Sequence, residues 1–228
     1  MASLNDLIRA YQYYKASTFL IGLNNVLKCR RYSGGKMNSK LLENIIIGGH
    51  QHRLRYHPNV NYRILKRDVR KAFATPFPIL SPPTPYKDFE DIYDELKKRL
   101  CPKGKYIKGI GDTTLYDISL RIGYILLPKP VFPNNKLYLY NGAFEGYCEL
   151  QKVAPLLSPS ISSLPVITKP DRYDMSSFSG IFDPLPSMFV EDLLCVYHKD
   201  FPILPSLTFD ELQKKLCCGN NVPQIYKI

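Results

Sequence analysis

Apolar residues recur at helical spacing along much of this chain, and that periodicity constrains the fold more than any other feature of the sequence. In the clearest stretch, Leu65, Val69 and Ala72 lie on one face of a predicted helix. Ser3 with Asp6, and Thr208 with Glu211, have the spacing of capping boxes that begin helices. Two helices are predicted to begin at Ser3 and at Asn38. Further helices are predicted over 60–74, 86–100, 113–126 and 208–216, and Thr84 and Pro85 mark the N-terminus of the one over 86–100. The chain is therefore predicted to be mainly α.

The sequence changes character after residue 127, where prolines recur and apolar runs become short. Two of these runs, KLYLY at 136–140 and LPVIT at 164–168, are predicted to be short strands. We therefore expect a basic, multi-helical domain over 1–150 and an irregular, proline-rich C-terminal extension over 151–228 that packs on it. A single continuous body is favoured over two separate ones.

Positive charge is concentrated in the first half of the chain. The net charge is +11, but residues 1–114 hold 21 basic and 9 acidic residues, whereas residues 115–228 hold 10 and 11. Within 28–71 there are twelve basic residues and two acidic ones. A concentrated positive field attracts polyanions, of which nucleic acid is the commonest. A solvated basic surface without a ligand is the alternative.

The predicted helix over 60–74 carries a row of cations opposite its apolar face. Their spacing places them along one ridge about 12 Å long, because each helical residue rises about 1.5 Å. The members of this ridge are Arg63, Lys66, Arg67, Arg70 and Lys71. We expect them to contact nucleic-acid phosphates.

A turn with two glycines leads directly into the predicted helix at 113–126. The sequence from 105 to 127 is KYIKGIGDTTLYDISLRIGYILL. Glycines allow a tight turn with positive φ and leave no Cβ on its outer surface, and a helix N-terminus presents free N–H groups to an anion. The candidate phosphate-binding residues are Lys105, Lys108, Gly109, Ile110, Gly111, Thr113 and Thr114. A turn that serves packing alone is the alternative, with Asp112 as the helix cap.

This segment resembles the helix-hairpin-helix motif, in which a Gly-hydrophobic-Gly turn is followed after two residues by Thr. Gly109, Ile110, Gly111 and Thr114 stand at those places. The resemblance implies binding to the DNA sugar-phosphate backbone without sequence reading, with the amides of Gly111 and Thr113 as donors and Lys108 as the flanking cation. The longer string YIKGIGDTTLYDISLRIG is also similar to a segment of uncharacterised bacterial proteins that contain this hairpin. The resemblance covers about a tenth of the chain. In the motif the first helix usually runs directly into the hairpin, whereas here the sequence PKG at 102–104 interrupts it.

Catalytic and metal sites are weakly indicated. DNA glycosylases built on this hairpin carry an Asp twenty to thirty residues beyond it, but 128–144 contains no Asp or Glu, and Thr113 stands where a Schiff-base lysine would be. G-x-S-x-G, P-loop and dinucleotide patterns are absent. The H-x-H-x₄-H run has no nearby Cys or acid, so neither a metal nor a cofactor is predicted. Its histidines are His50, His52 and His57.

The predicted function is sequence-independent DNA binding through the hairpin and the basic helix, with RNA as an alternative ligand. A nucleic-acid-processing enzyme (glycosylase-like or nuclease) and a protein-interaction module for an acidic partner are the rival classes. For the enzyme, the candidate groups are Glu145, Asp171, Asp174 and His198. The N-terminus has no apolar signal region, no uncharged stretch is long enough to span a bilayer, and the scattered cysteines form no C-x-x-C. We therefore expect a cytoplasmic protein with reduced thiols and no membrane partner.

Overall fold

The computed structural model of the protein describes residues 2–14, 45, 66–74, 86–126, 129–157, 164–183 and 185–218. The prediction of a mainly α fold is confirmed. The helices are α1 (Leu4–Tyr14), α2 (Lys66–Ala72), α3 (Phe89–Leu100), α4 (Asp112–Tyr124), α5 (Asn141–Leu157), α6 (Ser187–Tyr197) and α7 (Phe209–Cys218). The strands are β1 (Lys136–Leu139) and β2 (Asp171–Asp174), and 3₁₀ turns cover Pro102–Gly104, Met175–Phe178 and Phe201–Ser206.

The chain forms two compact units. One unit combines Met1–Thr18 with Asn134–Ile228, and the other consists of Phe19–Pro133. We call them the terminal unit and the middle unit. The predicted division after residue 150 falls within α5, and all of α5 belongs to the terminal unit.

The middle unit has its core between α3 and α4. Phe89, Ile92, Leu96 and Leu100 form the buried face of α3. The residues from Thr114 to Gly123 are all buried, so α4 is enclosed on every side. Its apolar residues therefore face more than one side, and its buried polar residues include Asp117, Ser119 and Arg121.

A close backbone contact closes the C-terminal end of α4. The N–H of Val131 donates to the carbonyl of Gly123 at 2.9 Å. A Cβ at Gly123 would lie 2.2 Å from the carbonyl oxygen of Val131, so only glycine fits. The buried guanidinium of Arg121 also donates to the carbonyl of Ile45 at 3.3 Å, which holds this end of α4 from a second direction.

The terminal unit is built on α5 and α6, which pack against each other and against a two-stranded sheet. β1 and β2 are antiparallel, with Lys136 opposite Asp174 and Leu139 opposite Asp171. Ser187, at the start of α6, donates its hydroxyl hydrogen to the carbonyl of Lys136 and so joins the helix to β1.

Two capping boxes begin α1 and α7, and both confirm the sequence prediction. The Asp6 carboxylate accepts from the backbone N–H of Ser3 at 2.9 Å, and the Ser3 hydroxyl accepts from the Asp6 N–H at 3.2 Å. Thr208 and Glu211 make the same reciprocal pair at 2.8 and 3.3 Å. These bonds satisfy N–H groups that the first turn of each helix leaves without partners.

The bounds of three predicted helices can be compared with the structure. The helix expected from residue 86 begins at Phe89, with Asp88 in an extended N-cap conformation, and Thr84 and Pro85 lie outside the described residues. The predicted helix at 60–74 is described from Lys66 to Ala72, and 60–65 lie outside the described residues. The helix predicted over residues 113–126 covers Asp112–Tyr124.

The strand predicted at 164–168 is wrong, although β1 confirms the one predicted at 136–140. The carbonyl of Pro165 accepts from the Tyr147 hydroxyl at 2.8 Å and from the Gln151 amide at 2.9 Å. Side chains of α5 therefore satisfy this backbone, and β2 pairs with β1 in its place. The part over 151–228 that we expected to be irregular also contains the C-terminal end of α5 and all of α6.

Within the described parts of the chain, no helix combines the length and apolar character needed to cross a membrane. Cys101 and Cys148 are free thiols, and burial raises the pKa of Cys148.

Candidate nucleic-acid interface

The two-glycine turn adopts a tight loop anchored by its apolar residue. Gly109 has a φ of 88°, in the left-handed region that favours glycine. Ile110 is 7% exposed, and its N–H donates to the carbonyl of Ile107 at 3.0 Å. The side chain between the glycines is thus buried in the middle unit, which fixes the loop to the core.

Gly111 is the N-cap of α4 and has an extended backbone, with φ −141° and ψ −176°. Its carbonyl accepts from the N–H of Leu115 at 2.8 Å, but no side chain caps the helix. A Cβ at this position would meet nothing within 4 Å. Neither backbone conformation nor packing therefore requires a glycine here.

The first turn of α4 is partly enclosed. Thr114 is buried, whereas Gly111, Asp112 and Thr113 are half-buried. The hydroxyl oxygen of Thr113 is shielded from solvent and has no hydrogen-bond partner among the described residues. Gly111 and Thr113, which we predicted to donate their amides, thus lie at the half-open end of the helix, and Thr114 anchors it.

Asp112 is not the helix cap suggested by the sequence, because Gly111 has that position. Its carboxylate accepts hydrogen bonds from the hydroxyls of Tyr106 and of Tyr93, the latter at 3.4 Å. The ammonium of Lys97 lies 3.6 Å from the same oxygen. These three groups offset the negative charge beside the hairpin, and a carboxylate in the first turn also suits the helix dipole.

The chain between α3 and the hairpin doubles back on itself. It makes a 3₁₀ turn over Pro102–Gly104, where Lys103 has a φ of 56° and Gly104 a φ of 76°. The N–H of Ile107 then donates to the carbonyl of Leu100 at 2.9 Å. The PKG interruption therefore keeps the hairpin next to the C-terminal end of α3.

A cleft of about 480 Å³ lies between the end of α2 and the segment that leads from α3 into the hairpin. We call it the basic cleft. Its charged and aromatic lining residues are Asp68, Lys71, Arg99, Lys105 and Tyr106. Lys71 belongs to the predicted ridge and Lys105 to the predicted hairpin flank, so one cation from each set lines the same space.

Two of the charged groups in the basic cleft already have partners. The Nε of Arg99 lies 2.8 Å from Oε1 of Glu95, and its guanidinium carbon is 5.7 Å from the centre of the Phe73 ring. Asp68 lies 3.4 Å from the Nε of Arg67. Lys71 and Lys105 are exposed, and neither has an ion-pair partner among the residues that the structure describes.

The other predicted site residues are only partly brought together. Arg67 and Arg70 are exposed on α2, and Lys108 is exposed at the hairpin without lining the basic cleft. Arg63, and the histidines His50, His52 and His57, lie outside the described residues, as does the side chain of Lys66.

The candidate catalytic residues belong to the terminal unit, whereas the hairpin belongs to the middle unit. Asp174 pairs with Lys136 at 2.6 Å, and Nδ1 of His198 lies 2.8 Å from the carbonyl of Cys195. Glu145 is exposed and Asp171 half-buried. In the part of the chain that the structure describes, no group of three metal-binding side chains occurs.

Tyr93, Tyr106 and Lys97, which surround Asp112, were not among the site residues predicted from the sequence. The one signal for Tyr106 was an aromatic residue directly after Lys105, a pairing typical of nucleic-acid interfaces. Tyr93 and Lys97 are four residues apart on α3, with Lys97 5.8 Å from the centre of the Tyr93 ring. Their meeting with Asp112 depends on how α3 packs against α4.

Comparisons of the chain with protein-family models, with curated proteins and with solved structures find no match.

Proposed function

We propose that the protein binds the phosphate backbone of DNA without reading its base sequence, at the hairpin and the cations beside it. The observation that carries this proposal is the uncapped, open N-terminus of α4 at Gly111. It begins α4 with no side-chain cap and with open space where a Cβ would be. A phosphate that docks on bare backbone amides needs such a helix N-terminus.

The charges around the hairpin favour an anionic ligand. Lys105 and Lys108 flank the loop, and Lys71 lines the same cleft as Lys105. The carboxylate of Asp112, in the first turn of α4, is held by two tyrosine hydroxyls and by Lys97. An incoming phosphate therefore meets cations and main-chain donors, while the repulsion from Asp112 is reduced.

Contacts of this kind recognise charge and backbone geometry, so the expected affinity depends little on base sequence and falls steeply with salt. Fluorescence anisotropy measures this directly, with labelled duplexes of two unrelated sequences at low and at physiological salt. A double-stranded RNA of the same length tests the alternative ligand. Polyglutamate as a competitor tests whether an acidic protein is an equally good partner.

Replacement of Gly111 by Ser separates the ligand role of this position from its structural role. The serine hydroxyl is expected to accept a hydrogen bond from the amide of Thr113 or Thr114, which stabilises α4 by a few tenths of a kcal/mol relative to glycine. The same bond removes a donor from the phosphate, and the side chain fills the open space above the amides. We expect G111S to unfold at a higher urea concentration and to bind duplex DNA roughly tenfold more weakly, as for the loss of one hydrogen bond to a charged group.

Gly111→Ala is the matched variant, since it adds only the Cβ. Weaker binding by both variants with the fold retained supports the proposal. Wild-type affinity in G111S rejects the use of these amides. Failure of the wild-type protein to bind any nucleic acid at low salt rejects the function, and competition by polyglutamate at equal charge concentration favours an acidic protein partner.

A further inference from the structure

The basic cleft combines cations, an aromatic ring and an apolar wall in one space. Lys71 and Lys105 supply positive charge that has no ion-pair partner among the described residues, Tyr106 supplies the ring, and Ala72 and Ile107 supply part of the apolar wall. We propose that this cleft holds one unpaired nucleotide of a DNA strand, with its base on Tyr106 and its flanking phosphates at the two lysines. This inference rests on the proposed function and adds a preference for DNA that carries unpaired nucleotides.

The size of the cleft suits a nucleotide. Its volume of about 480 Å³ falls within the roughly 300–1,000 Å³ that clefts for small ligands span. A base has flat apolar faces, and the strand on either side of it carries phosphates. The aromatic and apolar lining of the cleft therefore suits the base, and the two lysines suit the phosphates. A base inside a duplex is stacked between its neighbours and presents only its edges in the grooves, so its faces are not available to Tyr106.

The ring of Tyr106 is held in place before any ligand arrives. Its hydroxyl donates to Oδ1 of Asp112, and that oxygen also accepts from Tyr93 at 3.4 Å. Tyr106 is half-buried, so one part of the side chain is enclosed while another lines the cleft. A ring fixed in this way loses little conformational freedom when a base stacks on it.

The other charged groups of the cleft leave the lysines as the principal phosphate contacts. The Glu95 carboxylate lies 2.8 Å from Arg99 and offsets its charge, and Arg67 lies 3.4 Å from Asp68 and offsets the acid. Lys71 and Lys105 come from α2 and from the segment after α3, on separate parts of the chain. Two cations from separate elements can contact successive phosphates of one extended strand.

The test compares a blunt duplex with the same duplex carrying one unpaired 2-aminopurine nucleotide as an internal bulge, which has a phosphate on each side. Wild-type protein is expected to bind the second duplex about tenfold more tightly, as for one stacked base, and to quench the fluorescence of 2-aminopurine. Tyr106→Leu removes the ring, whereas Tyr106→Phe removes only the bond to Asp112 and keeps the ring. We expect Y106L to lose both the preference and the quenching, and Y106F to keep them.

The outcomes separate this inference from the proposed function. Blunt-duplex binding that weakens in G111S, with no preference for the unpaired nucleotide and no quenching by the wild-type protein, overturns the nucleotide cleft alone. A preference that persists in folded Y106L also overturns it. Free deoxyadenosine monophosphate is the remaining arm: it should compete only weakly, because it has one phosphate. Competition as strong as that of the oligonucleotide assigns the cleft to free nucleotides and overturns its assignment to a strand.

Discussion

The rings of Tyr11 and Tyr197 meet edge to face with their centres 6.5 Å apart, but their hydroxyl groups are in opposite situations. The Tyr11 hydroxyl donates to Oδ2 of Asp192 at 2.6 Å. The Tyr197 hydroxyl is buried and has no hydrogen-bond partner in the described parts of the chain. Both residues lie in the terminal unit, where Tyr11 ties α1 to α6.

This contrast predicts opposite effects for the same substitution. Tyr11→Phe removes a hydrogen bond to a carboxylate inside the fold and should lower the free energy of unfolding by about 2 kcal/mol. Tyr197→Phe removes a hydroxyl whose burial is uncompensated, so it should leave stability unchanged or raise it by up to ~1 kcal/mol. Urea unfolding followed by circular dichroism measures both. Equal losses in the two variants would mean that the hydroxyl of Tyr197 is bonded in solution.

Burial also predicts alkaline sensitivity in the terminal unit. It raises the pKa of Tyr11, Tyr147 and Tyr197 above the ordinary value of 10.0, and the Asp192 carboxylate raises that of Tyr11 further. A group whose folded pKa is raised contributes its full stability below the unfolded pKa and loses it as the pH rises toward the folded one. The contribution of these tyrosines to the free energy of unfolding should therefore be constant well below pH 10.0 and be lost as the pH rises above it. Y197F should make that loss smaller, and phenolate absorbance should rise together with unfolding.

Two glycines of α5 lie where α5 packs against α6, and the same substitution is predicted to have different costs at the two positions. A Cβ at Gly146 would lie 2.1 Å from the carbonyl oxygen of Leu194, whereas one at Gly142 would meet the sulfur of Cys195 at 2.9 Å. The backbone carbonyl of Leu194 cannot move away without separating the two helices, whereas the side chain of Cys195 can rotate. Gly146→Ala should destabilise the protein by about 3 kcal/mol, despite the better helix propensity of alanine. Gly142→Ala should cost at most ~1 kcal/mol in a thermal or urea denaturation, and similar losses for both would contradict the close contact.

Local signals explain the elements that the sequence predicted correctly. Ser3 with Asp6 and Thr208 with Glu211 are bonded as their spacing indicates, because a capping box involves residues three positions apart. The helix predicted at 113–126 covers Asp112–Tyr124, since its apolar positions and the glycines before it lie within one short segment. Local rules were sufficient wherever the partners are near in sequence.

Tertiary packing explains the elements that were missed. Helix α5 starts at Asn141-Gly142 and contains Pro155, all of which disfavour a helix by local rules, yet its buried residues pack against α6. Helix α6 is apolar on more than one side because most of it is buried, so it has no clean amphipathic pattern. The partners of Asp112 were hidden for the same reason, because Tyr93 reaches it only through the packing of α3 against α4.

The shared lining of the basic cleft by Lys71 and Lys105 predicts how DNA binding responds to salt. The slope of the logarithm of the binding constant against the logarithm of salt concentration counts the phosphates that a protein neutralises, at about 0.9 per phosphate. Lys71→Gln and Lys105→Gln should each make the slope shallower by about 0.9, and the double variant by about 2. Fluorescence anisotropy at four or more salt concentrations measures the slopes.

Lys199→Gln is the matched control, since Lys199 is exposed like the other two but belongs to the terminal unit. The slope of that variant should equal the wild-type slope. If the double variant changes the slope by only about 0.9, the two lysines share one phosphate. If it changes the slope no more than K199Q does, the lysines of the basic cleft act only through the general positive field of the protein. The slopes therefore distinguish direct phosphate contacts from long-range attraction, which a loss of affinity alone cannot do.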